Sequence, residues 1–416
     1  MSDERSRSPG AGKRGRQRLD RRRFLIAGGA LGVTLPARAG LPAWTREPGQ
    51  PFSNYGAPSS QEADVVRWIS ANPAAAGNGV SWSPLHDLEG TVTPNGLFFE
   101  RHHNGVPAID GKAHRLAVHG LVERPLEFAI DDLLRYPMTT RQAFIECGGN
   151  SNAAWQTRPV QAPVGYFHGL VSASEWTGVP LRHLLTEAGL RKTATWAIAE
   201  GADAIEHHMS VPVSKLMDDA LLVLFQNGER LRPENGYPLR LLLPGFEGVL
   251  NVKWLKRLEL TDRPAMSRNE TARYTELLPD GTARAFTFGM GVKSLITRPS
   301  CSTTLPGPGF VEISGLAWSG AGRIERVEVS TDGGASWGEA RLDGPVLPQM
   351  FTRFRFPWRF DGVPAVLKSR ATDETGAVQP ERDALIEARG RHGYFHYNAI
   401  VAYEVAEDGY VAHAYA

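Results

Sequence analysis

FIECGGNSNAAW, residues 144–155, runs an apolar approach into a thiol and then into a glycine turn. The segment ahead of it, RQAFIEC from Arg141, reads as a strand that ends at Gly148-Gly149. The chain has one other cysteine, Cys301. Three uses of Cys147 are open at this point. Free cysteine is among the most buried residue types, so packing is the ordinary outcome. Two cysteines in an exported chain also fit one disulfide. The third use is as a metal ligand or a nucleophile.

Outward from this strand, residues 85–265 read as a mixed α+β domain. AHRLAVHGLVERPLEFAIDDLLRYP gives a strand, a turn and a short helix at Ile130–Leu134. VPLRHLLTEAGL is an amphipathic helix that closes on a glycine. ALLVLFQNGERL is a hairpin turning at Asn227-Gly228. YPLRLLLPG and NVKWLKRLEL read as further strands. Residues 266–290 are a polar connection that carries Tyr274. From 291 to 390 the pattern changes to strands at short spacing: GFVEISGLAWSG, RIERVEVSTDGGASW and FTRFRFPWRF. These indicate a β-sandwich. The last of them puts Phe354, Phe356, Trp358 and Phe360 on one face and Arg353, Arg355 and Arg359 on the other. The tail, 391–416, is aromatic and is expected to dock.

The 416 residues are enough for two or three domains. Residues 1–39 read as a twin-arginine signal. A basic stretch ends in Arg21-Arg22-Arg23-Phe24-Leu25, an apolar run follows, and Ala37-Arg38-Ala39 resembles a cleavage site. The apolar run is shorter than the roughly 20 residues that cross a bilayer, and no later run is long enough. Residues 40–84 form an N-terminal surface segment rich in Pro, Ser and Ala. Without residues 1–39 the chain keeps 36 basic and 42 acidic residues, a net charge of −6. That lacks the basic footprint of a nucleic-acid binder. No Cys-x-x-Cys-His occurs, so the chain attaches no c-type haem.

Four stretches bear on Cys147: FFERHHNGVP (98–107), ECGGNS (146–151), EGADA (200–204) and NGYPLRLLLPGFEGVLNVKWLKRLEL (235–260). Together they resemble the sulfite oxidase family of molybdopterin enzymes over residues 97–275. The sandwich resembles that family's immunoglobulin-like dimerisation domain. The resemblance implies a molybdenum–molybdopterin cofactor with Cys147 as its thiolate ligand. A soft thiolate suits a metal already held by sulfur donors. Arg101 and His103 fall where the family contacts substrate and pterin, and Asp203 where it binds cofactor. Arg240 and Lys253 match basic residues around the pterin phosphate, a forked donor and a point charge. Tyr274 falls at the spacing of the active-site tyrosine. His102 receives no role from the family, and Cys301 is read as structural.

The departures concern the substrate. Sulfite oxidases carry arginines after their Cys-x-Gly-Asn, where Ser151 and Asn152 stand here. Tyr166 replaces a family tryptophan of the substrate pocket, and Asn235 a family histidine of the pterin loop. Losing one charge-assisted hydrogen bond weakens a small dianion by about 1.5–3 kcal/mol. The pattern is similar to the sulfane dehydrogenase branch of the family, in the periplasmic thiosulfate-oxidising system. That implies oxygen-atom transfer to a persulfide on a sulfur-carrier protein, with electrons leaving to a c-type cytochrome subunit. It also implies a homodimer of this chain within a heterotetramer. The alternatives are a sulfite dehydrogenase, in which Arg158 substitutes in space, and a metal-free binding protein that kept the fold.

Overall fold

The strand Thr139–Glu146 buries its last four residues and pairs antiparallel with Val171–Pro180, Thr139 opposite Gly178 and Glu146 opposite Val171. It is the edge of a five-stranded sheet that continues through Leu221–Gln226 to Glu229–Arg230, with Arg240–Leu242 also paired to Leu221–Gln226. The protein is described here by a computed structural model, which covers residues 54–415. The signal expected at 1–39 lies outside the described residues. The chain divides into two units, Met1–Pro58 and Ser59–Ala416, and everything below belongs to the second.

The hairpin turn at Asn227-Gly228 has φ of 47° and 80°. Positive φ at both central positions is what a type I′ turn requires. A second sheet runs Leu126–Ala129, Arg115–Gly120, Leu255–Thr261, Trp196–Gly201, His208–Pro212. Its one parallel pair joins Arg115–Gly120 to Leu255–Thr261. The helix Leu181–Ala188 buries Leu181, Leu184, Leu185 and Ala188, spacings that define one helical face. Each buried leucine contributes about 1.5–3 kcal/mol. These side chains share one core with residues from both sheets. The fold is the mixed α+β unit the sequence implies, with more strands than were read from it.

Part of the 40–84 segment enters a sheet. Trp68–Ala71 pairs with Gly79–Trp82, and Gly79–Trp82 with Glu100–His102, the strand bearing Arg101 and His102. Residues 293–414 build two further sheets. One holds Lys293–Arg298, Gly309–Trp318, Thr352–Phe360 and Arg341–Leu342. The other holds Gly338–Glu339, Ile324–Ser330, Ala365–Asp373, Ala402–Val405 and Val411–Ala414, so the tail supplies its last two strands. The core of this sandwich includes Trp318, Phe354 and Tyr403 and extends to Phe144 and Val171 beneath the Cys147 strand. One expectation fails locally. Arg353 is not on an open face; it is buried and donates to the carbonyls of Leu88 and Gly90. The loop carrying those carbonyls covers that end of the strand.

Candidate cofactor site and active centre

Cys147 follows the edge strand directly, and its backbone N–H donates to Leu170 O at 2.9 Å. Gly148 is needed for close packing against Glu247. A Cβ there would stand 1.9 Å from the Glu247 carboxylate. The disulfide reading is excluded: both cysteines are free thiols, and Cys301 is buried in the sandwich core. Burial pushes the Cys147 thiol up to about 11, helped by the Glu247 and Glu146 carboxylates and opposed by the Gly149 N–H and the Arg101 guanidinium. In cofactor-free protein, alkylation of Cys147 by iodoacetamide is therefore expected to rise about tenfold per pH unit from pH 8 to 10. An ordinary thiol levels off near 8.5. A plateau near pH 9 would show that the thiol is not desolvated.

Cys147 heads a cleft of about 760 Å³, open mouth included. Arg101, His103, Asp203, Arg240, Lys253 and Tyr274 all line it, so the structure brings together every site residue expected from sequence. Ser151, Asn152 and Tyr166 do not line it. Ser151 instead turns inward, 2.7 Å from His168 Nδ1 and 2.8 Å from Lys293 Nζ. Tyr166 packs beside Trp68 and His86.

The distinctive feature of the cleft is positive charge without partners. Arg240 is buried and donates only to carbonyls, those of Asn235 at 2.8 Å and Asn251 at 3.2 Å. Lys253 Nζ donates to the Arg101 and Glu234 carbonyls and to His102 Nδ1. Arg101 is held by Asn78 Oδ1 and by the Gly79 and His102 carbonyls. Among the described residues none of these three cations forms an ion pair. Burial pulls Arg240 down to about 9, and burial together with Arg240 pulls Lys253 well below its usual range. Buried cations at such a cost call for an anion. Gly236 lies beside them at φ 115°, and a Cβ there would come 3.0 Å from Arg240 Cβ.

Several polar nitrogens of the cleft are also unpaired. His103 Nδ1, His207 Nδ1, Asn235 Nδ2 and Arg240 Nε are buried without a partner, and all four residues line the cleft. Sequence reasoning missed His207. It sits four residues after Asp203, whose Oδ1 accepts its N–H at 2.8 Å, and its ring stacks 5.8 Å from His103. Burial and the surrounding cations, Arg101 foremost, hold His103 down to about 3, so it is neutral at any ordinary pH. Its Nε2 lies 3.4 Å from the Tyr274 hydroxyl, whose titration burial pushes up.

A polar heterocycle with an anionic tail fits this donor and acceptor set. Among the described residues no group of three or more His, Cys, Asp or Glu could hold a metal by itself. A metal at Cys147 must therefore arrive with donors of its own. Residues 103–269 match the model of the oxidoreductase molybdopterin binding domain, and residues 284–403 that of the Mo-co oxidoreductase dimerisation domain. The chain is 44% identical to a chain of the sulfane dehydrogenase SoxCD from Paracoccus pantotrophus, with a TM-score of 0.88 over 92% of this chain and 99% of that one.

The chain belongs to the sulfite oxidase family of molybdopterin oxidoreductases. Its cofactor is molybdenum–molybdopterin, as the motifs implied. It is 32% identical to mitochondrial sulfite oxidase of Rattus norvegicus over 72% of this chain and 59% of that protein. It is 31% identical to an inducible NADH nitrate reductase of Glycine max over 77% of this chain and 40% of that one. It thus spans about three-fifths and two-fifths of those two relatives. Relatives in one family that act on sulfite and on nitrate show that the shared fold does not fix the substrate. Among the described residues no helix is long and apolar enough to cross a membrane.

Proposed function

We propose that this protein is the molybdenum subunit of a periplasmic sulfane dehydrogenase in a thiosulfate-oxidising system. Its substrate is a persulfide on a cysteine of a sulfur-carrier protein. Electrons leave to a separate c-type cytochrome subunit, and export is by the twin-arginine route. A homodimer of this chain within a heterotetramer with the cytochrome goes with that reading. The observation that carries it is likeness to the Paracoccus sulfane dehydrogenase chain over 99% of its length. Ser151 and Asn152, neutral side chains where sulfite oxidases carry arginines, support it.

When bound, the molybdenum centre supplies two-electron oxygen-atom transfer to sulfur. The chain's own residues bind and orient. Cys147 loses its proton to become the thiolate ligand. Arg240 and Lys253 hold the anionic end of the pterin, with Asp203, His103, His207 and Asn235 along the cleft. Arg101 has no carboxylate partner and orients negative oxygens on the growing product. Tyr274, protonated at any working pH, donates from its hydroxyl toward the reacting end.

The test compares substrates on the purified, molybdenum-loaded protein under argon. A persulfidated carrier protein is expected to reduce the metal rapidly and stoichiometrically, seen as loss of thiolate charge-transfer absorption and a transient Mo(V) EPR signal. Sulfite is expected to bind about 10- to 100-fold more weakly than to a pocket with the extra arginine, the effect of one missing charge-assisted hydrogen bond. Fast bleaching by sulfite, with none by the persulfide, would make the enzyme a sulfite dehydrogenase.

A further inference from the structure

We propose that His102, on the strand Glu100–His102, is a positioning residue for the anionic end of the pterin, acting through Lys253. The inference rests on the reading of Lys253 as a pterin ligand. Lys253 Nζ sits 2.8 Å from His102 Nδ1, 3.1 Å from Glu234 O and 3.3 Å from Arg101 O. It lies 4.4 Å from the centre of the Trp254 ring. An ammonium group only donates. Nδ1 of His102 must therefore accept, which puts the imidazole proton on Nε2. That Nε2–H donates to Glu100 Oε2 at 2.6 Å. The other oxygen of Glu100 takes Arg67, which also donates to Phe98 O at 3.1 Å.

The result is a relay from Arg67 through Glu100 and His102 to Lys253, with a single consistent set of proton positions. It does two things. It places a carboxylate behind a buried ammonium whose other surroundings are Arg240, Arg101, Asp203, the Trp254 ring and backbone carbonyls. It also fixes where Nζ sits, because Trp254 lies against the same ring at 5.8 Å and 29°. Trp254 is 4% exposed and has φ 55°, a left-handed value that bulky residues rarely take. Such strain persists only where the surroundings impose it. The relay also gives Arg67, one residue before Trp68, a link through Glu100 to the cleft wall at His102.

The experiment measures pterin per chain in protein produced with its cofactor, by fluorescence of the oxidised pterin, at once and after extended dialysis. Lys253→Met is expected to deplete pterin. His102→Leu is expected to lower retention about 10- to 100-fold, the usual cost of losing a residue that orients a ligand-binding group. His102→Asn, whose Oδ1 keeps an acceptor near the Nδ1 position, is expected to restore most of it. Adding His102→Leu to Lys253→Met is expected to cost nothing further. Full loading of Lys253→Met would overturn the reading of Lys253 itself. Depletion by Lys253→Met alone, with His102→Leu fully loaded, would overturn the role of His102 and leave Lys253 standing. So would failure of asparagine to rescue, or a further loss in the double variant. Should the leucine variant not accumulate, Glu100→Gln gives the same readout: weaker retention supports the relay, and unchanged retention overturns it.

Discussion

Cys147→Ser is expected to abolish turnover while the protein folds and still binds pterin. The side chain changes by one atom in a partly buried position. The backbone bonds that shape the turn, Cys147 N to Leu170 O and Asn150 N to Cys147 O at 2.9 Å each, are untouched. The pterin would keep Arg240, Lys253, Asp203 and the unpaired groups of the cleft. What disappears is the soft donor. A hydroxyl has a far higher pKa than a thiol, so it does not replace thiolate at a metal of this kind. Removing a residue one step away from a ligand costs about 10- to 100-fold, and loss of the ligand itself should exceed that. The measurement is turnover with persulfidated carrier, beside molybdenum and pterin content. The thiolate charge-transfer band should vanish while pterin stays within reach of wild type. A serine variant retaining a tenth of the activity would remove Cys147 from the metal. Cys301→Ser provides the contrast. That thiol donates to Gln161 Oε1 at 3.2 Å within the sandwich and should leave turnover unchanged.

The parts of this site legible in sequence are those with a local signature. A strand running into Cys147-Gly148-Gly149 and basic residues at Arg240 and Lys253 around a strand turn are all visible within a short window. The alternation of Thr352–Phe360 was equally visible, but the burial of Arg353 was not, because the carbonyls that cover it come from a loop 263 and 265 residues earlier. His102 and His207 were opaque for the same reason. A histidine acquires its function from what its two ring nitrogens meet, and the partner of His102 is Lys253, 151 residues on. Gly148 was opaque in the same way: a side chain there would meet the Glu247 carboxylate, 99 residues on. Ser151 shows the same limit. Its position after the cysteine suggested a pocket wall, yet its hydroxyl is taken up by groups that no window around it contains.

Those groups carry the largest expected effect on stability. Lys293, on the first strand of the sandwich, is 1% exposed, and its Nζ donates to Glu146 Oε1 at 3.2 Å and to Ser151 Oγ at 2.8 Å. Because the ammonium only donates, the Ser151 hydroxyl proton is left for His168 Nδ1, 2.7 Å away. Glu146, 2% exposed, also accepts from Asn150 Nδ2 at 2.9 Å and from the Trp318 indole at 2.7 Å. The residues before and after Cys147 are thus tied to two sandwich strands through one buried ion pair. Burial pulls the Lys293 ammonium down and Glu146 opposes it, so the charge depends on its partner. Lys293→Met leaves a buried carboxylate unpaired and is expected to cost about 3–5 kcal/mol. Adding Glu146→Gln removes that charge and should recover part of the loss, a coupling of about 0.5–3 kcal/mol for groups in contact. Urea unfolding followed by tryptophan fluorescence reads both, and Trp318 reports from inside the network. A Lys293→Met variant within about 0.5 kcal/mol of wild type, the range of ordinary surface changes, would show that the pair does not join the two halves of the site. A large loss would instead fit a sandwich core that extends to Phe144 and Val171 of the cofactor-binding unit. The loop that presents the thiolate is held from the sandwich side, and loosening it there should lower molybdenum retention in the same variant.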